Sequence, residues 1–312
     1  MKKLSYYTLV IVLFANTLKS QDVHFSQSAV GNVNLNPALA GNDSIGRVGI
    51  VYRNQWPNLS GNYVTTSVNG YQYISKLNAY AGINYINDNQ ANTFYTNIYS
   101  LFYVQNINIK NLLIRPAFEL GYGTIRINTS NLTFGDMMDP RRGLYYNSSI
   151  DYSTIRLKTY LDYSTGIAAY YKSFLIGFSI HHLTQPDVGF FTSSKLHSRY
   201  SFQASYDRKI MRFIISPYIV YQKQQNFSML TGGVNTLLFK HINIGFAYRN
   251  SDAFIAAVGY QNRFIRITYS YDNTVSELGN NNTGGAHEIS TILNFWKTTP
   301  KKRLIKVNSV FS

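Results

Sequence analysis

The sequence predicts a transmembrane antiparallel β-barrel of about 14 strands, and three observations carry that reading. Short stretches of alternating polar and apolar residues fill the chain from Arg47 to Trp296, with no helix-length hydrophobic run among them. The connections between them alternate, a long polar one and then a tight one. Ahead of them, Met1 to Ser20 has the parts of a secretory signal. In a bilayer every backbone N–H and C=O must be paired within the protein, so strands span only as a closed sheet.

The leader (residues 1–20) places Lys2 and Lys3 before the apolar run Leu9 to Ala15 and ends on the small Ser20, with cleavage expected before Gln21. That run is too short to span as a helix. The chain has no Cys, which argues against a lipid anchor and leaves stability to burial and strand pairing. Residues 21–46 are weakly periodic and end in Asn36-Pro37-Ala38-Leu39-Ala40-Gly41, a segment that either plugs the lumen or lies beneath it.

The barrel itself is expected over 47–296, with strands at 47–53, 63–73, 78–87, 95–107, 112–127, 157–170, 173–182, 199–209, 211–223, 227–238, 241–250, 253–262, 263–272 and 287–296. A membrane strand needs roughly 9–11 residues, so these use about half of the chain. Connections after even strands (74–77, 108–111, 171–172, 210, 239–240 and Gln261-Asn262-Arg263) are tight; those after odd strands include 128–156, 183–198 and 273–286. Outer-membrane barrels keep short periplasmic turns and long outer loops, and an even strand count puts both ends of the barrel chain in the periplasm. The tail 297–312 carries Lys301, Lys302, Arg303 and Lys306 with no acid, which reads as a solvated basic segment near an anionic membrane surface.

Alternation assigns the faces. Ile242, Ile244, Phe246 and Tyr248 oppose Asn243, Gly245, Ala247 and Arg249; Ile265, Ile267, Tyr269 and Tyr271 oppose Arg266, Thr268 and Ser270. Between Leu112 and Tyr122, the row Ile114, Phe118, Leu120, Tyr122 opposes Arg115, Ala117, Glu119, Gly121. An Arg at the bilayer midplane on the lipid side costs roughly 2–4 kcal/mol. Arg115, Glu119, Arg249 and Arg266 are therefore expected in the lumen, with Arg115 and Glu119 paired to each other or to neighbours. A soluble barrel would invert the faces; the leader, the loop asymmetry and the 27 Tyr and 19 Phe crowding strand ends favour lipid. The net charge of +15 then points to lipid phosphate, not to nucleic acid.

Motifs outside the strand pattern are distinctive in their order. Gln21-Asp22-Val23-His24-Phe25-Ser26-Gln27 is followed by Asn36-Pro37-Ala38-Leu39-Ala40-Gly41, then by Arg47-x-Gly49-x-x-Tyr52-Arg53-Asn54-Gln55-Trp56. Phe134-Gly135-Asp136, His182-Leu183-Thr184-Gln185-Pro186 and Tyr269-Ser270-Tyr271-Asp272 come next, the last leading to His287-Glu288. From about Gln21 to Phe295 this set resembles the PorP/SprF family, outer-membrane proteins of the Bacteroidetes type IX secretion system. The resemblance implies an integral outer-membrane accessory without enzymatic activity. Its implied partners are a secreted cargo protein with a C-terminal sorting domain, gliding adhesins among them, and periplasmic ring or peptidoglycan-associated components.

Read physically, Arg53 and Trp56 at the outer end of the first strand suit an aromatic girdle with a lipid-phosphate contact, and also a loop anchor. Asn36-Pro37 and Gly41 suit a chain reversal into that strand. Asp136 and Asp139 lack a regular calcium-ligand spacing, so Asp136 is expected to cap a turn. His181 and His182, adjacent on a strand, are expected on opposite faces, one in the lumen and one in the girdle, which excludes a shared metal. No Ser/His or Asp/His constellation suggests catalysis, and no cofactor is expected. The alternative to a secretion partner is a diffusion channel or small-molecule transporter, its lumen lined by the four charged residues named above.

Overall fold

The computed structural model describes residues 22–27, 32–41, 45–128, 137–139, 141, 143–144, 157–190, 192–275 and 279–297. Its strands are β1 (Ile45–Gln55), β2 (Tyr63–Ile74), β3 (Ala79–Gln90), β4 (Phe94–Gln105), β5 (Leu112–Ile127), β6 (Leu157–Tyr171) and β7 (Phe174–His181). β8 (Arg199–Tyr206), β9 (Phe213–Gln224), β10 (Phe227–Leu238), β11 (Ile242–Arg249), β12 (Ala253–Gln261), β13 (Ile265–Thr274) and β14 (Ala286–Lys297) complete the set. Short pieces, Ile107–Ile109 and Arg208–Ile210, continue β4 and β8 beyond Asn106 and Asp207. Every strand pairs antiparallel with its neighbours in sequence, and β1 closes the ring against β14. The result is a closed 14-strand barrel that leaves no free edge.

One rim is made of the tight turns 75–78, 110–111, 172–173, 211–212, 239–241 and 262–264. Left-handed residues such as Asn78 (φ 53°), Lys110 (φ 52°), Lys172 (φ 54°) and Met211 (φ 50°) build them, because mirror-type turns match the twist of paired strands. The opposite rim carries the longer connections 56–62, 182–198 and 275–285 but also the tight turns 91–93, 225–226 and 250–252, so the expected alternation of long and tight connections holds only in part. Phe134, Gly135 and Asp136 in the longest connection, the leader and the tail beyond Lys297 lie outside the described residues.

The outer wall is apolar: Ile83, Leu101 and Phe246 are 62%, 60% and 66% exposed, and Tyr52, Tyr99, Tyr122, Tyr248 and Tyr269 ring it. No helix among the described residues is long and apolar enough to cross a membrane; strands do so instead.

The inner wall changes character along the axis. Toward the long-loop rim it is polar and charged, with Arg53, Asp88, Asp162, Arg249, Asp272 and Glu288 all buried. Toward the tight-turn rim it is apolar, where Tyr73, Tyr80, Leu113, Ala168, Tyr170 and Leu175 pack with Val33, Ala38, Leu39 and Ala40 from the N-terminal segment. The expectation that polar rows face in is therefore corrected for part of that half, where the plug turn and the facing walls of β2 to β7 and β9 form a hydrophobic core around the buried Arg115. The cause is the segment itself, whose apolar turn needs an apolar wall.

Candidate functional site: the plugged lumen

Residues 22–27 and 32–41 run through the barrel. The helical turn Asn32–Leu35 leads into the 3-10 turn Pro37–Leu39, which Asn36 caps by accepting from the Ala38 N–H at 2.9 Å. Asn36 Nδ2 also donates to the carbonyls of Ile167 (3.3 Å) and Phe178 (3.2 Å) on β6 and β7. Gly166 opens the notch that receives it, since a Cβ there would strike the Asn36 amide. Gly41, at φ 77° and packed on the Tyr80 ring, turns the chain out toward β1 near the tight-turn rim. Asp22 lies at the other end, beside the long loops. The segment thus ascends from β1 through the lumen toward the outer mouth.

Three clusters fasten it. At the first, Glu288 accepts from two successive plug amides, Ser26 N and Gln27 N, both at 2.8 Å. Arg53 bridges Glu288 (3.2 Å) and Asp272 (2.9 Å), and Arg249 reaches the same Asp272 oxygen at 3.2 Å. Ser26 Oγ sits at the centre, donating to Asp272 (2.5 Å) and accepting from Arg53 (2.6 Å) and Arg249 (2.9 Å). Gln27 completes the cluster by donating to Ser270 Oγ and accepting from Ser290 Oγ.

The second cluster lies at the outer mouth. His182 donates to Asp22 and to Asp162, each at 2.7 Å, and Arg199 lies 3.3 Å from Asp22. Burial opposes charge on His182, but the two carboxylates outweigh it and raise its pKa to about 9. Asp22 is likewise held below the usual carboxylate range: burial disfavours its charge, and His182 and Arg199 more than compensate. The third cluster is neutral: Asn34 donates to Ser67 and accepts from Asn84, both at 2.8 Å, while Ser179 and His181 donate to the Leu35 carbonyl at 2.8 and 3.2 Å.

Several sequence-predicted residues meet here, and some sit where the sequence reading did not put them. Arg53 is 3% exposed and points into the lumen, so the girdle and lipid-phosphate assignment is wrong; it shares its face with Val51, opposite Tyr52. His181 and His182 are not on opposite faces; both are buried against the plug, because His182 adopts φ 58° just past β7 and swings inward. Arg115 and Glu119 both face inward but do not pair with each other. Arg115 instead donates to Asn106 Oδ1 (3.0 Å) and the Gly41 carbonyl, between the rings of Tyr80 and Tyr170. Arg266 shares the inward face of Ser270, and Arg47 donates to Asn294 at 3.0 Å.

The remaining motif residues are peripheral. Asn54 accepts from Asn62, Gln55 approaches Arg53 at 3.5 Å, and the Trp56 ring meets Tyr63 edge-on. Gln185 donates to Ser198, and the Pro186 carbonyl accepts from Leu196, shaping the 182–198 loop. His287 faces outward against Tyr269 and Tyr271, while its neighbour Glu288 faces in. Asp139 accepts from the Arg141 amide, and no metal-holding group of His, Asp or Glu occurs among the described residues. Ser26, Gln27, Asp22, Asp162, Arg199 and Asp272 were not singled out as site residues. The usable signal was closure: once β1 pairs with β14, Arg53 falls directly opposite Glu288.

No protein of curated function matches this sequence. Three solved barrels are similar in structure. Acinetobacter baumannii outer membrane protein Omp33 is 8% identical, with 81% of this chain and 98% of that one covered at a TM-score of 0.45. The P. putida toluene transporter TodX is 8% identical (86% and 93% covered, TM-score 0.46), and the Ralstonia pickettii toluene transporter TbuX 9% (85% and 92%, TM-score 0.47). The family model described as type IX secretion system membrane protein PorP/SprF matches residues 17–293, so most of the plug, the barrel and the motif residues that join them fall within one family pattern. The chain is therefore a member of the PorP/SprF family of type IX secretion system membrane proteins.

Proposed function

We propose that this protein is an outer-membrane partner of type IX secretion that captures, guides or anchors secreted cargo through protein–protein contact, without enzymatic activity. The observation that carries this reading is the filled lumen. Residues 22–27 and 32–41 are bonded to the wall and packed into an apolar core below, so what the protein handles is handled on its surfaces. Those surfaces are the long-loop rim, which includes the connection 182–198, and the turn side facing the periplasm. Loops rich in Asn, Ser, Thr and Tyr suit adaptable polar contacts with aromatic anchors. Export by the leader and residence in the outer membrane follow from the same reading, as do a cargo C-terminal sorting domain and periplasmic ring or peptidoglycan-associated components as partners.

The test is removal of the protein from its own cell. Bulk secretion then continues while one or a few cargoes are stranded; unimpaired surface display of every cargo would sink the proposal. The competing channel reading is separated by planar-bilayer recording of the intact protein, for which a plugged partner stays silent and a transporter shows steady conductance.

A further inference from the structure

Between the plug and the wall of β8 to β11 lies a small cavity of about 40 Å³. His24, Phe25, Ser26 and Asn34 line it from the plug, and Arg199, Gln222, Met229, Thr231 and Arg249 are among its wall residues. Among the described residues no acidic side chain lines it. Asp22 engages a terminal guanidinium nitrogen of Arg199, and Asp252 and Asp272 both engage one of Arg249. Both Nε atoms are fully buried and have no hydrogen-bond partner among the described residues, and the same is true of both ring nitrogens of His24.

Buried donors without acceptors are costly, at about 1–3 kcal/mol each and more when charged, so three residues leaving such groups around one cavity call for an acceptor. Its charge can be read from the surroundings. Burial first, then the guanidiniums of Arg199 and Arg249, depress the His24 pKa to about 3, so the imidazole stays neutral with one N–H to donate. At His24 the guanidiniums of Arg199, Arg249 and Arg53 outweigh the carboxylate of Asp22, so the potential there is positive, although Asp22, Asp252 and Asp272 pair with the two lining arginines from outside the cavity. A water satisfies donors but does nothing for that potential; an anion does both. The volume admits one water-sized group and excludes phosphate, sulfate or a peptide carboxylate with its chain.

We infer that this cavity is a binding site for a single halide ion, chloride by chemical class, held by the Nε–H groups of Arg199 and Arg249 and the His24 ring. It joins the plug residue His24 to the wall through the ion, adding a fourth attachment to the three already described.

The test uses the full-length protein in detergent, with bromide as the probe. Crystals grown in sodium bromide should show an anomalous peak between His24, Arg199 and Arg249; a site showing only water density there overturns the inference. In solution, the melting temperature should shift upward and saturate with chloride or bromide, but not with gluconate or sulfate at equal ionic strength. Equal shifts in all four salts mean general screening and also overturn it. Met229→Phe, which fills the cavity while sparing every charge, should abolish the halide-specific shift; a retained shift places the ion elsewhere.

Discussion

Replacing Glu288 with alanine tests whether the ion cluster holds the upper plug in place. One carboxylate accepts from Ser26 N and Gln27 N at 2.8 Å each and from Arg53 at 3.2 Å, and Glu288 is fully buried. Its loss orphans two plug amides, at about 1–3 kcal/mol apiece. It also leaves Arg53 with Asp272 as its one carboxylate partner among the described residues, through an oxygen Arg249 already shares; breaking a buried pair from one side costs about 3–5 kcal/mol. These terms describe the same carboxylate and overlap, so the total is on the order of 3–5 kcal/mol, or a few hundred- to a few thousandfold in an opening equilibrium. Hydrogen exchange read by mass spectrometry on the detergent-solubilised protein reports that equilibrium for segments such as this one. The Ser26 and Gln27 amides should exchange faster by about that factor, whereas the β2–β3 ladder and the Leu39 and Ala40 amides of the 3-10 turn keep their protection. Unchanged protection at Ser26 and Gln27 would refute the argument, and so would equal acceleration throughout the strands, which would make Glu288 a barrel residue and not a plug clasp. The paired variant Arg53→Met with Glu288→Met should recover part of the loss, because it also removes the stranded cation.

Two further outcomes follow from the other attachments. The outer clasp should depend on pH with a defined sign: the pKa of His182 is raised from 6.5 to about 9, so its contribution is full below 6.5 and fades as pH rises through about 9. That of Asp22, lowered from 3.8, is present above 3.8 and lost in acid. Because the chain has no Cys, a spin label placed through Val23→Cys reports this alone: it should become mobile in alkali, and His182→Gln should make it mobile at neutral pH with no alkaline transition left. An alkaline transition that survives His182→Gln contradicts the assignment. At the other end, Gly41→Ala forces a Cβ into the left-handed region and against Tyr80, costing about 1–2 kcal/mol from the backbone alone; an unchanged urea midpoint for unfolding would show that the turn tolerates a side chain.

The barrel was legible because its signals are local. Alternation of period 2 and turn chemistry recur in each hairpin, so the expected strands 112–127 and 227–238 coincide with β5 and β10. The lumen was less legible. Arg53 was misread through the proximity of Trp56, although the parity of Tyr52 on the lipid side already directs Arg53 inward. His182 escaped because one positive φ beyond a strand end overturns parity, and no residue type at that position announces it. Arg115 and Glu119 were rightly sided, but which neighbours satisfy Arg115 was not legible, since those groups (Asn106, Gly41 and the rings of Tyr80 and Tyr170) come from four different stretches of chain.

By itself, the sequence determined that this chain closes a sheet in a bilayer, which strands do so, and which row of each strand meets lipid, because backbone pairing without water leaves no other solution. Only the tertiary structure decided what fills the barrel. Ser26, Arg53, Arg249, Asp272 and Glu288 lie far apart in sequence and meet only when β1 registers against β14 and the N-terminal segment rises between them. Contacts across a lumen follow no sequence period, since they depend on the radius of the closed ring and the path of the chain inside it.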